Sequence, residues 1–256
     1  MKPAKHLIRQ AFNGAAASYD AAADVQRQAC RTLARRLPGT RTTQTLLDAG
    51  CGTGFALALL RDRFPAAARI ALDHAPAMLA RARTTDPAAL ALGGDLEHLP
   101  LATASLDLYW SSLAVQWCDL ARSLAEAARV LRPGGRLLLA TLGQRTFAEL
   151  RQAFAASDRH RHTLDFLPAG AIAPLALAAR FSDIHVEHTP VVTHHADLPT
   201  LLRAVKAIGA NQVGAGRRTG LMSRTAFARA SEAYESLRQP AGLPLTYDLI
   251  YLEATR

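Results

Sequence analysis

Short apolar runs recur along the chain at 45–49, 69–73, 90–95, 105–112 and 136–142, the pattern of strands covered on both faces. Between them apolar residues return every three or four positions, as in Leu57, Leu60 and Phe64 or Leu124, Ala127, Ala128 and Leu131, the period of helices with one buried face. Strands alternating with helices predict a doubly wound α/β fold with a mostly parallel sheet and right-handed crossovers. Ahead of this core, 4–13 puts Leu7, Ile8, Ala11 and Phe12 on one helical face, and 22–37 does the same with Val25, Ala29, Leu33 and Leu37. Asn13-Gly14 between them reads as a helix stop. Later, 146–157 and 170–180 read as helices, and 183–193 and 245–254 as strands, which makes seven strands. The stretch between the last two is too long for a plain connection. It carries helical spacing over 197–208 and 223–237, so it predicts a helical lid. The expected organisation is one domain over 1–256: a helical N-terminal cover (1–41), a binding core (42–196), a lid (197–244) and a final strand (245–256).

The first strand breaks into Gly50-Cys51-Gly52-Thr53-Gly54, a turn whose glycines let backbone N–H groups approach a ligand at a helix N-terminus. The dinucleotide fingerprint G-x-G-x-x-G does not fit, because its last position is Phe55 and the third glycine comes one place early. An Asp in the strand followed by G-x-G-x-G resembles instead the first motif of the class I methyltransferases that use S-adenosylmethionine. That resemblance implies that Gly50, Gly52 and Gly54 carry the methionine end of the cofactor and that Asp48 orients the loop or the cofactor amine. Asp73 ends the second strand about 20 residues on, where a carboxylate can accept both ribose hydroxyl protons. His74 and Met78 are placed to flank the adenine. The same resemblance makes Asp95 the acceptor of the adenine amino hydrogen, lays the Leu96 backbone beside the ring, and adds Ser111 of the fourth strand to the cofactor set.

Charge changes the picture in one respect. The net charge of +9 is concentrated outside the core: residues 1–41 hold eight Lys/Arg against two acids and 198–244 hold seven against two, whereas 42–130 hold seven against nine. The excess predicts an acidic partner on the substrate side. The N-terminus lacks an apolar h-region and no later run is long enough to span a bilayer, so a cytoplasmic protein with no membrane partner is expected. Cys30, Cys51 and Cys118 lack metal-ligand spacing and are expected as free thiols. His160/His162 and His194/His195 have no second ligand cluster, so no metal is expected.

A narrower resemblance runs through Ala11-Phe12-x-x-Ala15-Ala16-x-Ser18-Tyr19-Asp20, Leu113-Ala114-Val115-Gln116-Trp117-Cys118, Lys206-x-Ile208-Gly209-Ala210 and Pro244-Leu245-Thr246-Tyr247. These stretches resemble the malonyl-acyl-carrier-protein O-methyltransferases of biotin synthesis. The resemblance implies methyl transfer from S-adenosylmethionine to the free carboxylate of a malonyl thioester on acyl carrier protein. That carboxylate is already ionised, so no general base is expected. Orientation by Tyr19 and by a cation, with Arg145, Lys206 or Arg203 as candidates, would suffice. A methyltransferase acting on a quinone or another small molecule is the alternative. A nucleic-acid enzyme is not expected, because Ser111-Ser112-Leu113-Ala114 stands where base-modifying relatives carry Asn/Asp-Pro-Pro-Tyr/Phe.

Overall fold

The computed structural model describes residues 2–37, 43–155, 157, 159–209, 214, 216, 220 and 222–256. In chain order the elements are α1 (Lys5–Ala15), α2 (Tyr19–Ala22), α3 (Asp24–Ala34), β1 (Thr45–Ala49), α4 (Phe55–Arg63), β2 (Ala68–Asp73), α5 (Pro76–Thr85), β3 (Leu90–Gly93), β4 (Leu106–Ser112), α6 (Leu120–Val130), β5 (Leu131–Leu142), α7 (Ala148–Ala155), α8 (Ile172–Ala178), β6 (Ser182–His195), α9 (Leu198–Ala207), α10 (Arg224–Glu235) and β7 (Leu243–Thr255).

One seven-stranded sheet runs β3-β2-β1-β4-β5-β7-β6. Its first five strands are parallel and β7 is antiparallel to both its neighbours. The chain winds outward from β1 in one direction and from β4 in the other. The crevice beyond the C-terminal ends of β1 and β4 is therefore the topological switch point where such sheets bind ligands. Central strands are covered on both faces: Leu46, Leu47, Ala49, Tyr109, Trp110, Leu137 and Leu138 have no exposed surface. The edge strand β6 is mostly exposed and contains Pro190, which an edge tolerates because no neighbour needs its missing N–H.

Of the boundaries that differ from the sequence reading, two show why. Helix α1 continues through Asn13-Gly14 to Ala15, since a lone Gly costs a helix only about 1 kcal/mol and Ile8 and Ala15 are buried on the inner face. Strand β5 begins at Leu131, ahead of the Pro133-Gly134-Gly135 turn, because Leu131 already pairs with Leu106.

The segments flanking the core pack over its C-terminal edge. Leu198, Leu201 and Val205 of α9, Ile208, and Ala230 and Tyr234 of α10 are buried in the same apolar cluster as α3, β4 and β7. Gly209 (φ +70°) lies so close to Phe12 of α1 that a Cβ there would stand 3.1 Å from the ring. Helices from the two ends of the chain thus meet above the switch point.

Candidate active site

Beyond β1 the N–H groups of Gly50 and Cys51 both donate to the Leu72 carbonyl, at 2.7 and 2.9 Å. The next amide, Gly52, donates to Asp73 Oδ2 at 2.9 Å, and Ala75 N–H donates to Asp73 Oδ1 at 2.8 Å. Asp73 therefore fixes the glycine turn as well as ending β2, and each of its oxygens keeps a lone pair for a ligand hydroxyl. Burial raises its pKa, while the bonds from Ala75 and Gly52 pull the other way. The glycines divide the work. At Gly50 (φ +77°) a Cβ would stand 2.3 Å from the Ala114 Cβ, whereas at Gly52 (φ +54°) it would meet nothing within 4 Å. Gly52 faces open space, the side on which a ligand can touch backbone.

That space is a cleft lined by Gly50, Gly52, Asp73, His74, Met78, Asp95 and Leu96, with Lys5, Phe12 and Tyr19 closing it from the N-terminal segment. His74 is exposed at its rim, and Met78, 1% exposed, packs against Ala16 and Ala75. Asp95 accepts Glu97 N–H at 3.0 Å and pairs with Lys5, which also reaches Glu97 at 3.1 Å. Burial tends to raise the Asp95 pKa, but the Lys5 ammonium and the Glu97 N–H together outweigh it and hold the carboxyl below its ordinary value. This double ion pair latches α1 over the cleft.

Asp48 lies behind the glycine turn, where a smaller cavity shared with Tyr19, Cys30, Gly50, Gly52 and Ser112 opens beside the cleft. It is 1% exposed and its Oδ2 is buried with no hydrogen-bond partner. Burial, and the charge of Asp73 beside it, push its pKa up to about 8. The expectation that Asp48 orients the loop gives way to Asp73 and the Leu72 carbonyl, which hold the turn's amides; Asp48 keeps an acceptor in reserve for a donor arriving with the ligand.

Two other expected cofactor residues stand apart. Gly54 (φ +89°) lines neither space; its missing Cβ makes room for Ala82 Cα, 3.0 Å from where it would be, so it serves the contact of α4 with α5. Ser111 is fully buried and donates to the Ala49 carbonyl at 2.7 Å, tying β4 to β1. Ser112 lines the cleft instead, because neighbouring strand residues point to opposite faces.

A second cavity adjoins the cleft and shares Phe12, Tyr19, Leu113 and Trp117 with it. It is a narrow slot of about 40 Å³, walled by Phe147, Val205, Ile208 and Tyr247 with Gln26, Gln116 and His162 as polar members. Phe12 stands edge-on to Trp117 at 5.6 Å and Phe147 edge-on to Tyr247 at 5.0 Å. Tyr19 lines the cleft, the slot and the cavity behind the glycine turn. Burial and the charges of Asp73 and Asp20 raise its hydroxyl pKa well above the ordinary tyrosine value, so it is a hydrogen-bond donor at neutral pH. Asp20 ties this segment down by accepting from Thr53 Oγ1 at 2.6 Å.

The expected cations are elsewhere. Arg145 is exposed and uses its backbone N–H, at 2.9 Å, on Asp248; its turn delivers Phe147 to the slot instead. Lys206 is exposed in the last turn of α9, because the apolar Val205 and Ile208 take the inward face. Arg203 is exposed and bonds within its own helix to Pro199 and Thr200. Among the described residues no Lys or Arg lines the slot; Lys5 and Arg9 line the cleft. Phe12, Trp117 and Tyr247 were legible as motif positions without a site role, while Phe147 carries no sequence signal, since its inward turn rests on a positive φ of 61°. Ala210, Arg217 and Arg218 lie outside the described residues. Among the described residues no group of three or more His, Cys, Asp or Glu could hold a metal ion, and no helix is long and apolar enough to cross a membrane.

A switch-point cleft with a glycine turn, an acid ending β2 and a second acid beyond β3 defines a methyltransferase domain, and residues 47–139 match the family model of that description. The YcgJ protein of Bacillus subtilis shares the fold, with a TM-score of 0.63 at 14% identity over 90% of this chain and 98% of that one. The whole chain is 58% identical to a malonyl-[acyl-carrier protein] O-methyltransferase of Dechloromonas aromatica, over 100% of this chain and 96% of that protein. It is also 38% identical to a biotin biosynthesis bifunctional protein BioHC of Teredinibacter turnerae, over 97% of this chain and 46% of that protein. The chain belongs to the malonyl-[acyl-carrier protein] O-methyltransferase family.

Proposed function

We propose that the chain transfers a methyl group from S-adenosylmethionine to the free carboxylate of a malonyl thioester on acyl carrier protein, giving the methyl ester that enters biotin synthesis. The observation that carries the reading is the pair of joined cavities, one built on the glycine turn with Asp73 and Asp95 in its wall, the other narrow and walled by aromatic side chains, meeting at Tyr19.

The residues of the cleft fit the cofactor. Gly52 leaves backbone open to its methionine end, the orphaned Asp48 Oδ2 suits its ammonium, the free lone pairs of Asp73 suit a ribose diol, and Met78 and His74 suit the flat faces of an adenine. When bound, the cofactor supplies an electrophilic methyl on a positively charged sulfur. The chain's own task is then placement. The malonate carboxylate arrives ionised at neutral pH, so no proton has to be removed. Tyr19 donates to one carboxylate oxygen and leaves the other free to attack. The Phe12, Trp117 and Leu113 wall excludes water that would compete for the methyl. Among the described residues no Lys or Arg lines the slot, so orientation of the carboxylate there falls to donors such as Tyr19. Esterification removes the carboxylate's charge.

Incubation with methyl-labelled cofactor tests this. Label is expected on malonyl carrier protein as a base-labile ester and not on succinyl carrier protein or quinones. Label on a quinone with none on malonyl thioesters would overturn it.

A further inference from the structure

A third cavity of about 410 Å³ lies beside the slot, walled in part by Leu120 of α6 and by Ile172 and Leu175 of α8. Four residues, Gln116, Leu142, Leu164 and Phe166, line both. The cleft, the slot and this third cavity therefore follow one another as a continuous series. We infer that the third cavity holds the uncharged two-amide section of the thioester arm, with the malonyl end passing Gln116 into the slot. This rests on the reading that the substrate is a carrier-bound malonyl thioester.

Adjacency is the first argument. The arm behind the malonyl end needs room next to the slot, and the only cavity sharing a wall with the slot besides the cleft and the space behind the glycine turn, among those described, is this one. Its chemistry is the second. Leu120, Leu164, Phe166, Ile172 and Leu175 make it largely apolar. Its acids are already engaged: Asp119 accepts from Ala121 and Arg122 N–H at the start of α6, and Asp165 pairs with Arg161. Lys2 also lines the cavity and donates to the Gln116 backbone carbonyl, so each charge in the wall already has a partner; the largely apolar interior suits the neutral amide section, with the phosphate outside, past Leu167 at the rim.

The third argument is Gln116, which is 8% exposed and stands in the partition. Its Nε2 donates to the Leu113 carbonyl at 2.6 Å, which fixes which end of the amide is which. Its Oε1 is left buried without a partner. A buried acceptor without a donor costs stability and calls for a ligand donor, and an arm amide N–H passing the partition is such a donor. The carbonyl of Gln116 is already taken by Lys2, so the side chain alone is on offer.

The test compares two substrates, malonyl carrier protein and malonyl-N-acetylcysteamine, whose truncated arm keeps one amide and ends within the partition. Leu167 is 38% exposed, so Leu167→Trp narrows the cavity mouth without burying a new side chain. The ratio of kcat/KM for the carrier substrate to that for the short thioester is expected to fall about tenfold or more in Leu167→Trp. In Gln116→Leu both substrates are expected to weaken, because both carry the amide nearest the thioester, with KM rising and kcat nearly kept. Cofactor affinity by calorimetry serves as the folding control for each variant. An unchanged ratio in folded Leu167→Trp, or an unchanged KM in folded Gln116→Leu, would overturn the arm's route. Failure of the wild-type protein to methylate either malonyl thioester would instead sink the functional reading beneath it.

Discussion

The floor of the site and its cover are built by different means. The floor is backbone: three successive amides of the glycine turn are spent on the Leu72 carbonyl and the Asp73 carboxylate, and parallel strands hold those acceptors in register. The cover is side chains from distant parts of the chain: Lys5 on Asp95 and Glu97, Asp20 on Thr53, and Gly209 against Phe12. A floor of that kind has one geometry, and a substitution either fits or breaks it. A cover of that kind is a sum of small contacts that can open and close, as a cavity enclosed on the substrate side requires.

The largest expected effect tests the floor. Gly50→Ala drives a Cβ into Ala114 and also needs a left-handed backbone, so both stability and cofactor binding should collapse. Gly52→Ala meets no protein atom and pays only the left-handed conformation, about 1–2 kcal/mol, yet fills the space where a ligand approaches. Thermal melts and calorimetry should therefore separate them: Gly50→Ala strongly destabilised, Gly52→Ala modestly destabilised but at least tenfold weaker for cofactor. Equal melting losses would mean that the turn is not divided as described.

Asp73→Ala comes next. It strips the Gly52 and Ala75 amides of their acceptor as well as removing the proposed ribose partner, at about 1–3 kcal/mol, so cofactor affinity should drop roughly 10- to 100-fold with a lowered melting temperature. A folded variant with wild-type affinity would refute the assignment.

Asp48 should move stability and binding in opposite directions. Its folded pKa is raised to about 8 by burial and by Asp73, so the folded state holds a proton that the unfolded chain releases near pH 4. Its contribution to stability therefore becomes less favourable as pH rises from about 4 to about 8 and is constant above. Asp48→Asn removes that penalty. The variant should melt higher than the parent at pH 8 and about the same at pH 4, and bind cofactor more weakly at pH 8, where the parent carboxyl ionises. Pair latching adds the reverse trend at the cover: the lowered Asp95 pKa gives a contribution that is present above the unfolded value and lost as pH falls through the folded one.

How far the sequence could be read follows the same division. The seven strands, the glycine turn and the acid that ends β2 were legible because local pattern dictates them: apolar runs, glycine spacing and an Asp at a strand end; Asp95, two residues beyond the end of β3, rested on the resemblance. Ser111 was misread by one position, since a fully buried strand shows no alternation to tell its two faces apart. Gly54 was read as a ligand glycine because spacing alone does not distinguish backbone open to a ligand from backbone pressed against a helix. The cations were not legible at all. Whether Lys206 points at the slot depends on which side of α9 the core claims, and Val205 and Ile208 claim it only once the helix is docked.

The smallest expected effect concerns those displaced cations. Lys206, Arg203 and Arg145 are exposed and line none of the cavities, so any influence they have on the reaction runs through the field outside it. On the proposed reading the charge asymmetry of the chain predicts that influence: an acidic carrier protein approaching α9 and the N-terminal segment would be steered by them, over the ~8 Å that charges reach at physiological ionic strength. Lys206→Glu combined with Arg203→Glu should therefore reduce kcat/KM for malonyl carrier protein a few-fold at low salt, and the deficit should vanish as salt rises. The short malonyl thioester carries no acidic protein, so its rate should stay within about twofold of the parent at every salt concentration. A loss on the short thioester that persists at high salt would mean that α9 turns one of these side chains inward when substrate binds. The cover would then supply a charge to the reaction itself, and the division between a rigid chemical floor and a steering cover would fail at that residue.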